Sequence, residues 1–186
     1  MKFRLALQVV AFGVLAACGP TGMHSYRGAG TISKAGAFPQ IGLKVDFDPF
    51  DLGAPLSHRY SIEGLPKPNS IYDIGIVPMD PMLQTEQRPA TLLQAGRGTL
   101  SIRLFGASGQ LVFDATSEIS ELSWGWREKV PFGYVFAEDK RRASIIWPEY
   151  FANGAERPAT IEVSYKPGAN AFGCTVRLRL IGDDLM

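Results

Sequence analysis

The hairpin "TLSIRLFGASGQLVFD" (99–114) decides the fold class of this chain. Its first arm alternates Leu100, Ile102 and Leu104 with polar residues, which is the pattern of a β-strand with one buried face. The glycine-bearing turn "GASG" (106–109) follows, and "GQLVFD" (109–114) is predicted as the return arm. We therefore expect two neighbouring antiparallel strands that share an apolar face.

The same alternation recurs on both sides of this hairpin. Runs bounded by Gly, Pro, Asn or Asp predict strands at residues 41–47, 56–63, 71–77, 121–126, 143–147, 160–166 and 174–180. Most runs are apolar on one side alone, which indicates antiparallel sheets with one buried face. We predict an all-β fold, an antiparallel β-sandwich of about seven to nine strands with an immunoglobulin-like or C2-like topology. A β-barrel is the alternative.

The N-terminus has the order of a secretory signal. The basic start "MKFR" (1–4) precedes the apolar run "LALQVVAFGVLAA" (5–17), which ends on small residues. A membrane-spanning helix needs about 20 apolar residues, so this run is too short to span a bilayer. We expect a signal helix that is removed on maturation.

Leu15, Ala16, Ala17 and Cys18 resemble the lipobox of bacterial lipoproteins. The resemblance covers residues 1–18 only, and no family is recognised for the rest of the chain. It implies cleavage before Cys18, lipidation of its thiol and a membrane anchor made of acyl chains. Two or three chains hold a protein on a membrane far more firmly than one. The absence of aspartate after the cysteine resembles the pattern of lipoproteins sent to the outer membrane, where the domain would face the periplasm.

These segments predict the domain organisation. Residues 1–17 form the signal peptide, residues 18–31 the lipidated cysteine with a flexible tether rich in Gly, Ser, Thr and Pro, and residues 32–186 a single sandwich domain. Loss of Lys2 and Arg4 takes the formal net charge from +1 to −1, which gives no reason to expect a nucleic-acid partner.

Lipidation of Cys18 would leave Cys174 as the second and unpaired cysteine. In "CTVRLRLI" (174–181), Cys174 shares the apolar phase with Val176, Leu178 and Leu180. We expect it to be an inert core residue.

Aromatic residues concentrate between residues 124 and 151, together with basic side chains. Exposed Trp and Tyr beside Arg are typical of recognition surfaces, and Trp124 and Trp126 point the same way in a strand. The alternative is that these rings fill the core. The candidate binding residues are Trp124, Trp126, Arg127, Tyr134, Arg141, Arg142 and Trp147.

Motifs for other chemistry are sparse. Asp46, Asp48 and Asp51 have a spacing that three calcium ligands can use, but a solvated strand end is the expected arrangement. His58 falls in phase with Leu56 and Tyr60, so we expect it to be partly buried and hydrogen-bonded. No nucleophile elbow or phosphate-binding loop is present, so the sequence predicts no metal, no cofactor and no catalysis.

The expected function follows from these residues. We predict a lipid-anchored protein of the cell envelope that binds a protein partner, as a component of an envelope assembly or as an immunity-type protein. A lipoprotein that binds glycans or peptidoglycan fragments is an alternative based on the aromatic cluster, and a hydrolase is a further alternative. The long connections 78–98 and 124–159 are the candidate functional loops.

Overall fold

The computed structural model describes residues 26–35, 42–65, 71–85, 97–127, 130–135, 144–146, 157–169, 171 and 173–182 of the 186. Strands account for nearly all the regular structure of these residues: β1 (Thr31–Ala35), β2 (Gly42–Asp51), β3 (Leu56–Ser61), β4 (Ile71–Pro78), β5 (Gly98–Gly106), β6 (Leu111–Glu118), β7 (Ser123–Arg127), β8 (Val130–Tyr134), β9 (Ser144–Ile146), β10 (Pro158–Pro167) and β11 (Thr175–Gly182). One short helix, α1 (Pro81–Thr85), follows β4, and a 3-10 turn (Ile119–Glu121) follows β6.

The described strands form two antiparallel sheets. The first has the order β1-β2-β11-β4-β8-β7, with β9 pairing with β4 beside β8, and the second has the order β3-β10-β5-β6. The β5–β6 hairpin is confirmed, with Leu100 opposite Ser117 and Ile102 opposite Ala115. The prediction of an all-β sandwich is therefore confirmed.

The last two strands in chain order occupy interior positions. β11 lies between β2 and β4 in the larger sheet, and β10 lies between β3 and β5 in the smaller sheet. Each sheet is thus joined across its middle by a strand from the end of the described chain.

The main core lies between the two sheets. Leu100, Ile102 and Leu104 of β5 are fully buried there, as the alternation predicted, and they belong to one cluster with Ile74 of β4. Cys174 is buried in the same cluster, which confirms its expected place in the core.

The larger sheet is also buried on its other face. Ile76 belongs to the main core, whereas its neighbour Val77 packs with Phe132 and Ile181 in a second cluster. Because successive strand residues point to opposite faces, this second cluster covers the outer face of the larger sheet. The expectation of one buried face is wrong for β4 and β11, and β8 is also buried on both faces. The sequence of β4, "IYDIGIVP", has apolar residues in both phases, which is typical of a strand buried on both sides.

The strand count exceeds the predicted seven to nine because β1 and β8 were not predicted. β1 is a short edge strand that pairs with β2 alone. β8 contains Pro131, which cannot donate a ladder hydrogen bond and is unusual in an interior strand. The register explains how Pro131 is accommodated: β8 pairs with β4 at Tyr134 and Gly133, and Pro131 lies opposite Trp126 of β7.

The chain contacts the sandwich before β1 begins. The backbone N–H groups of Arg27 and Ala29 donate to the carbonyls of Glu63 and Ser61. The Tyr26 hydroxyl donates to the carbonyl of Ala29 at 2.6 Å, and burial raises the pKa of Tyr26 to about 12. Residues 26–30 therefore lie along the end of β3.

Candidate functional site

The β7–β8 pair carries four of the candidate binding residues, namely Trp124, Trp126, Arg127 and Tyr134. In this pair Trp124 lies opposite Gly133, and Arg127 lies opposite Val130. The structure therefore places these four residues on one edge of the larger sheet. The other candidates, Arg141, Arg142 and Trp147, lie outside the described residues, as does Cys18.

The two tryptophans of β7 differ in exposure. The Trp126 side chain is 51% exposed, whereas Trp124 is partly buried and packs against the main core. The predicted platform of two rings is therefore one exposed ring beside one ring that belongs largely to the core. The interpretation as a recognition surface therefore applies to Trp126, and the interpretation as a core residue applies to Trp124.

Tyr134 and Asp73 help to hold Arg127 in place. Its Nε donates to the hydroxyl of Tyr134 at 2.8 Å, and its Nη2 donates to Oδ2 of Asp73 at 2.6 Å. Asp73 is only 3% exposed and Tyr134 is also buried, so both partners lie beneath the guanidinium. A bond between two charged groups is stronger than a neutral one and fixes the Arg127 side chain on the outer face of the larger sheet, opposite to the face of Trp126.

Sequence reasoning missed Asp73. The available signal was a single carboxylate inside the run "IYDIGIV" (71–77), which is otherwise apolar. An aspartate is almost never fully buried unless it is paired, so this position required a cation from another strand. The sequence did not identify which cation, because Arg127 is 54 residues away along the chain.

Glycines provide the space for the rings of this edge. A Cβ at Gly133 would lie 2.8 Å from the Trp124 ring, and a Cβ at Gly125 would lie 3.0 Å from Tyr134. A Cβ at Gly75 of β4 would overlap the ring of Phe132. Each aromatic side chain therefore lies across the backbone of a neighbouring strand, which explains why "SWGWR" and "VPFGY" combine large rings with glycine.

A second charged cluster lies on the outer face of the larger sheet. Asp46 of β2 accepts from Arg179 Nε at 2.5 Å and from Arg179 Nη2 at 3.0 Å. Arg177 contacts the same carboxylate at 3.4 Å. Asp46 is thus shared between two arginines of β11, and the Arg179 side chain is 9% exposed.

This cluster corrects the interpretation of the aspartate spacing. β2 continues through all three aspartates to Asp51, and Asp46 is largely buried rather than solvated. The reason is the pairing with β11, which brings two cations to Asp46. Asp48 is exposed, and Asp51 accepts from the backbone N–H of Gly53 at 2.8 Å. Among the described residues, no group of three or more His, Cys, Asp and Glu is arranged to hold a metal ion.

The expectation for His58 is wrong. His58 is exposed, and its ring lies 5.7 Å from that of Tyr60. β3 is an edge strand, so the apolar phase at Leu56 and Tyr60 is itself only partly buried.

A shallow groove of about 400 Å³ lies at one end of the smaller sheet. Its walls include Ser61, Glu63, Ala107, Arg157 and Thr160. It therefore offers hydroxyl, carboxylate and guanidinium groups over a small apolar floor, and none of the predicted binding residues contributes to it.

The outer face of the smaller sheet is polar. One row across its four strands alternates in charge, with Arg59, Glu162, Arg103 and Asp114 in register. Arg59 pairs with Glu162 at 3.3 Å, and Arg103 pairs with Asp114 at 3.4 Å. These exposed pairs are typical of a solvated face.

No helix among the described residues has both the length and the apolar character needed to cross a membrane.

Comparisons with known proteins add little to this description. No family model matches the chain, and no curated protein matches it. The crystal structure of the infectious bursal disease virus VP2 subviral particle is 14% identical and matches 86% of this chain and 42% of its own, with a TM-score of 0.19. The structure of the infectious bursal disease virus Gx strain is 14% identical and matches 85% and 38%, with a TM-score of 0.16. The chain spans less than half the length of either of these viral chains, and similarity at this level carries no argument about function.

Proposed function

We propose that this chain is a bacterial lipoprotein that is anchored through Cys18 in the outer membrane, faces the periplasm and binds a protein partner without catalysing a reaction. The partner is a component of an envelope assembly or the target of an immunity-type protein. The observation that carries the binding proposal is the half-exposed ring of Trp126 on the edge strand β7.

The support for the anchor is in the sequence. A basic start, a short apolar run and the ending Leu-Ala-Ala-Cys occur in that order within residues 1–18. Each methylene of an acyl chain contributes about 0.8 kcal/mol when it is buried in a bilayer, so a cysteine with several chains is a firm attachment.

The support for partner binding is the β7 edge. Trp126 exposes about half of its surface to solvent, and on the opposite face of the same strand Arg127 is held by Asp73 and Tyr134. Tryptophan and arginine are the residues that contribute most to protein interfaces, and a fixed side chain loses little conformational entropy on binding.

The anchor is tested with a Cys18→Ala variant. We expect the wild-type chain to incorporate a labelled fatty acid and to partition into the detergent phase. We expect Cys18→Ala to do neither and to retain residues 1–17. An Ala17→Ser variant is the control because it keeps a small residue before the cysteine. A mature, detergent-requiring Cys18→Ala protein would contradict the anchor.

Partner binding is tested by a photo-crosslinking amino acid placed at position 126 in the full chain, in envelopes of the source bacterium. Position 103 is the matched control, since Arg103 is 54% exposed on the polar face of the other sheet. We expect a discrete crosslinked protein from position 126 and none from position 103. Equal crosslinking from both positions, or none from position 126, would contradict the proposal.

A glycan ligand is the second candidate, favoured by the same ring. Flat aromatic rings stack on sugar faces, and Trp126 is exposed enough to do so. Soluble peptidoglycan fragments and envelope glycans would then change tryptophan emission of the wild-type protein but not of a Trp126→Leu variant. Unchanged emission across such a panel would exclude this candidate.

A further inference from the structure

The chain joins the sandwich at one end of the smaller sheet. The backbone N–H groups of Arg27 and Ala29 donate to the carbonyls of Glu63 and Ser61, at 3.1 and 2.7 Å. Tyr26 packs against the main core, and its hydroxyl donates to the carbonyl of Ala29 at 2.6 Å. These contacts fix the chain on the sandwich from Tyr26 onward.

The shallow groove of the smaller sheet lies at the same end. Ser61 lies opposite Thr160, Thr160 lies opposite Phe105, and Phe105 lies opposite Leu111. Ser61 and Thr160 are also walls of the groove. We name this end of the sandwich, which comprises residues 26–29, 61–65, 105–111 and 157–160, the attachment end.

The position of Cys18 limits the distance between the attachment end and a membrane. Seven residues, 19–25, separate Cys18 from Tyr26. Even a fully extended chain allows at most about 29 Å between the Cα atoms of these two residues. From Thr160 to Pro167, β10 extends about 24 Å away from the attachment end. The opposite end could therefore reach the membrane only if residues 19–25 were almost fully extended along the sandwich, so an anchor on Cys18 favours the attachment end as the end beside the membrane.

The two ends of the sandwich also differ in charge. The attachment end carries the exposed cations Arg27 and Arg157 and the exposed carboxylate of Glu63. Among the described residues, the opposite end carries the carboxylates of Asp51, Asp80, Glu118 and Glu121 and the cations Arg97 and Lys166. The phosphates of a membrane surface attract cations and repel carboxylates. The charge difference therefore favours the same orientation as the position of Cys18.

The groove at the attachment end is complementary to a zwitterion. Arg157 and Glu63 contribute opposite charges to its walls, and Ser61 and Thr160 contribute hydroxyl groups. A guanidinium binds phosphate through paired N–H donors, and a carboxylate accepts from an ammonium group. The volume of about 400 Å³ is in the range of sites that hold small ligands. A headgroup with both a phosphate and an ammonium group fits this groove better than a purely anionic one, which Glu63 would repel.

We propose that the attachment end rests on the membrane and that its groove binds a zwitterionic phospholipid headgroup, with the phosphate at Arg157 and the ammonium group at Glu63. The inference rests on the proposed function, because it requires the lipid on Cys18. The acyl chains supply the attachment, and the headgroup contact orients the domain on it. The opposite end of the sandwich then points away from the membrane.

Orientation is tested with the lipidated full chain in phosphatidylethanolamine nanodiscs that contain lipids with a nitroxide quencher on the headgroup. Gln110→Cys places a fluorescent label on the exposed β5–β6 turn of the attachment end, outside the groove walls. Ala54→Cys is the matched control, because it places the same label on the exposed β2–β3 turn at the opposite end. Cys174 is buried and should not take the label. We expect loss of fluorescence at position 110 and little loss at position 54.

The groove is tested by NMR titration of the full chain in detergent with two probes, glycerophosphoethanolamine and glycerol 3-phosphate, of which only the first has an ammonium group. We expect Arg157→Gln to weaken binding of both probes and Glu63→Gln to weaken binding of the first alone, each by about tenfold for the loss of one charge-assisted contact. Arg103→Gln is the control, because Arg103 forms an exposed ion pair outside the groove. Thermal melts establish that the variants are folded, and Glu63→Gln tests the groove if Arg157→Gln does not fold.

The outcomes separate the inference from the proposed function. Equal quenching at positions 110 and 54, or quenching at position 54 alone, would overturn the inference even if the chain carries fatty acid and position 126 crosslinks to a partner. Binding of both probes without any quenching at position 110 would show a site for soluble phosphate esters and would also overturn it. Undiminished probe binding by Glu63→Gln would exclude the zwitterionic headgroup. If position 110 is quenched while position 126 crosslinks to nothing, partner binding fails and the inference stands, whereas a chain without fatty acid contradicts both.

Discussion

Arg127 and Asp73 form an ion pair at 2.6 Å although they belong to strands that are not neighbours. β8 lies between β7 and β4, so the guanidinium crosses a whole strand to reach the carboxylate. The pair therefore connects the edge that carries Trp126 to the interior of the larger sheet. A perturbation of Asp73 is expected to reach the proposed binding edge through this contact.

We predict that Arg127→Met destabilises the fold by about 3 kcal/mol, because it removes the guanidinium that pairs with the buried carboxylate of Asp73. Tyr134→Phe removes only a hydrogen bond and should cost about 1 kcal/mol. Urea unfolding of each variant measures both values. An Asp73→Asn/Arg127→Met double variant should recover part of the loss, and equal effects of the single and double variants would show that the pair is not coupled.

Gly75→Ala is predicted to destabilise the sandwich because the added methyl group overlaps the ring of Phe132 and the carbonyl oxygen of Gly133. Overpacking of this kind costs about 1–3 kcal/mol. Combining it with Phe132→Leu, which shortens the side chain, should give a smaller loss than the sum of the two single changes. Thermal unfolding of the three variants tests this, and simple additivity would contradict the contact.

Asp46→Asn and Asp114→Asn form a matched pair of carboxylate changes. Asp46 is shared by Arg177 and Arg179 and is largely buried, so its loss should cost about 3 kcal/mol and should depend little on salt. Asp114 pairs with Arg103 in solvent, so its loss should cost at most about 0.5 kcal/mol. Denaturant unfolding at low and high salt distinguishes the two, and similar costs would contradict the assigned burial.

Burial raises the pKa of the Cys174 thiol from 9.0 to about 11, with smaller contributions from the carboxylates of Asp80 and Asp51. The unfolded chain therefore loses this proton at lower pH than the folded chain, so the free energy of unfolding should fall as the pH rises from 9 to 11. In Cys174→Ala this part of the pH dependence should disappear, while the cost of the lost side chain stays the same at every pH.

The thiol of Cys174 should also resist alkylation. A buried and protonated thiol is a poor nucleophile, so we expect slow modification at pH 8 in the native protein and fast modification in urea. Fast modification of the native protein, measured by mass spectrometry, would contradict the burial of this residue in the core.

The sequence predicted the buried face of a strand correctly where alternation within that strand was enough to define it. Leu100, Ile102 and Leu104 alternate within one run, so their common face was evident without knowledge of the neighbouring strand. It was a poor guide where burial depends on a partner strand. His58 has the phase of a core residue, but its strand lies at the edge of a sheet. The residues of a single strand do not predict whether that strand lies at the edge or in the interior of a sheet.

The candidate site shows the same division. Trp126 and Arg127 were identifiable as residue types that bind partners, whereas Asp73, which fixes Arg127, required knowledge of which strands are adjacent. The unequal exposure of Trp124 and Trp126 also depends on packing against the other sheet. The residue types of the candidate site were therefore predictable from the sequence, whereas the strand pairing that brings Asp73 to Arg127 was not.

The interior positions of β10 and β11 determine when the protein can complete its fold. Until residues 158–182 have emerged from whatever machinery makes or exports the chain, β2 and β4 have no strand between them, and neither do β3 and β5. Pairings between such distant segments form slowly. The growing chain consequently has several unpaired strand edges at once. During this period it is prone to aggregate, and binding by a chaperone would protect it. A premature stop before residue 158 would leave two incomplete sheets rather than a smaller stable domain.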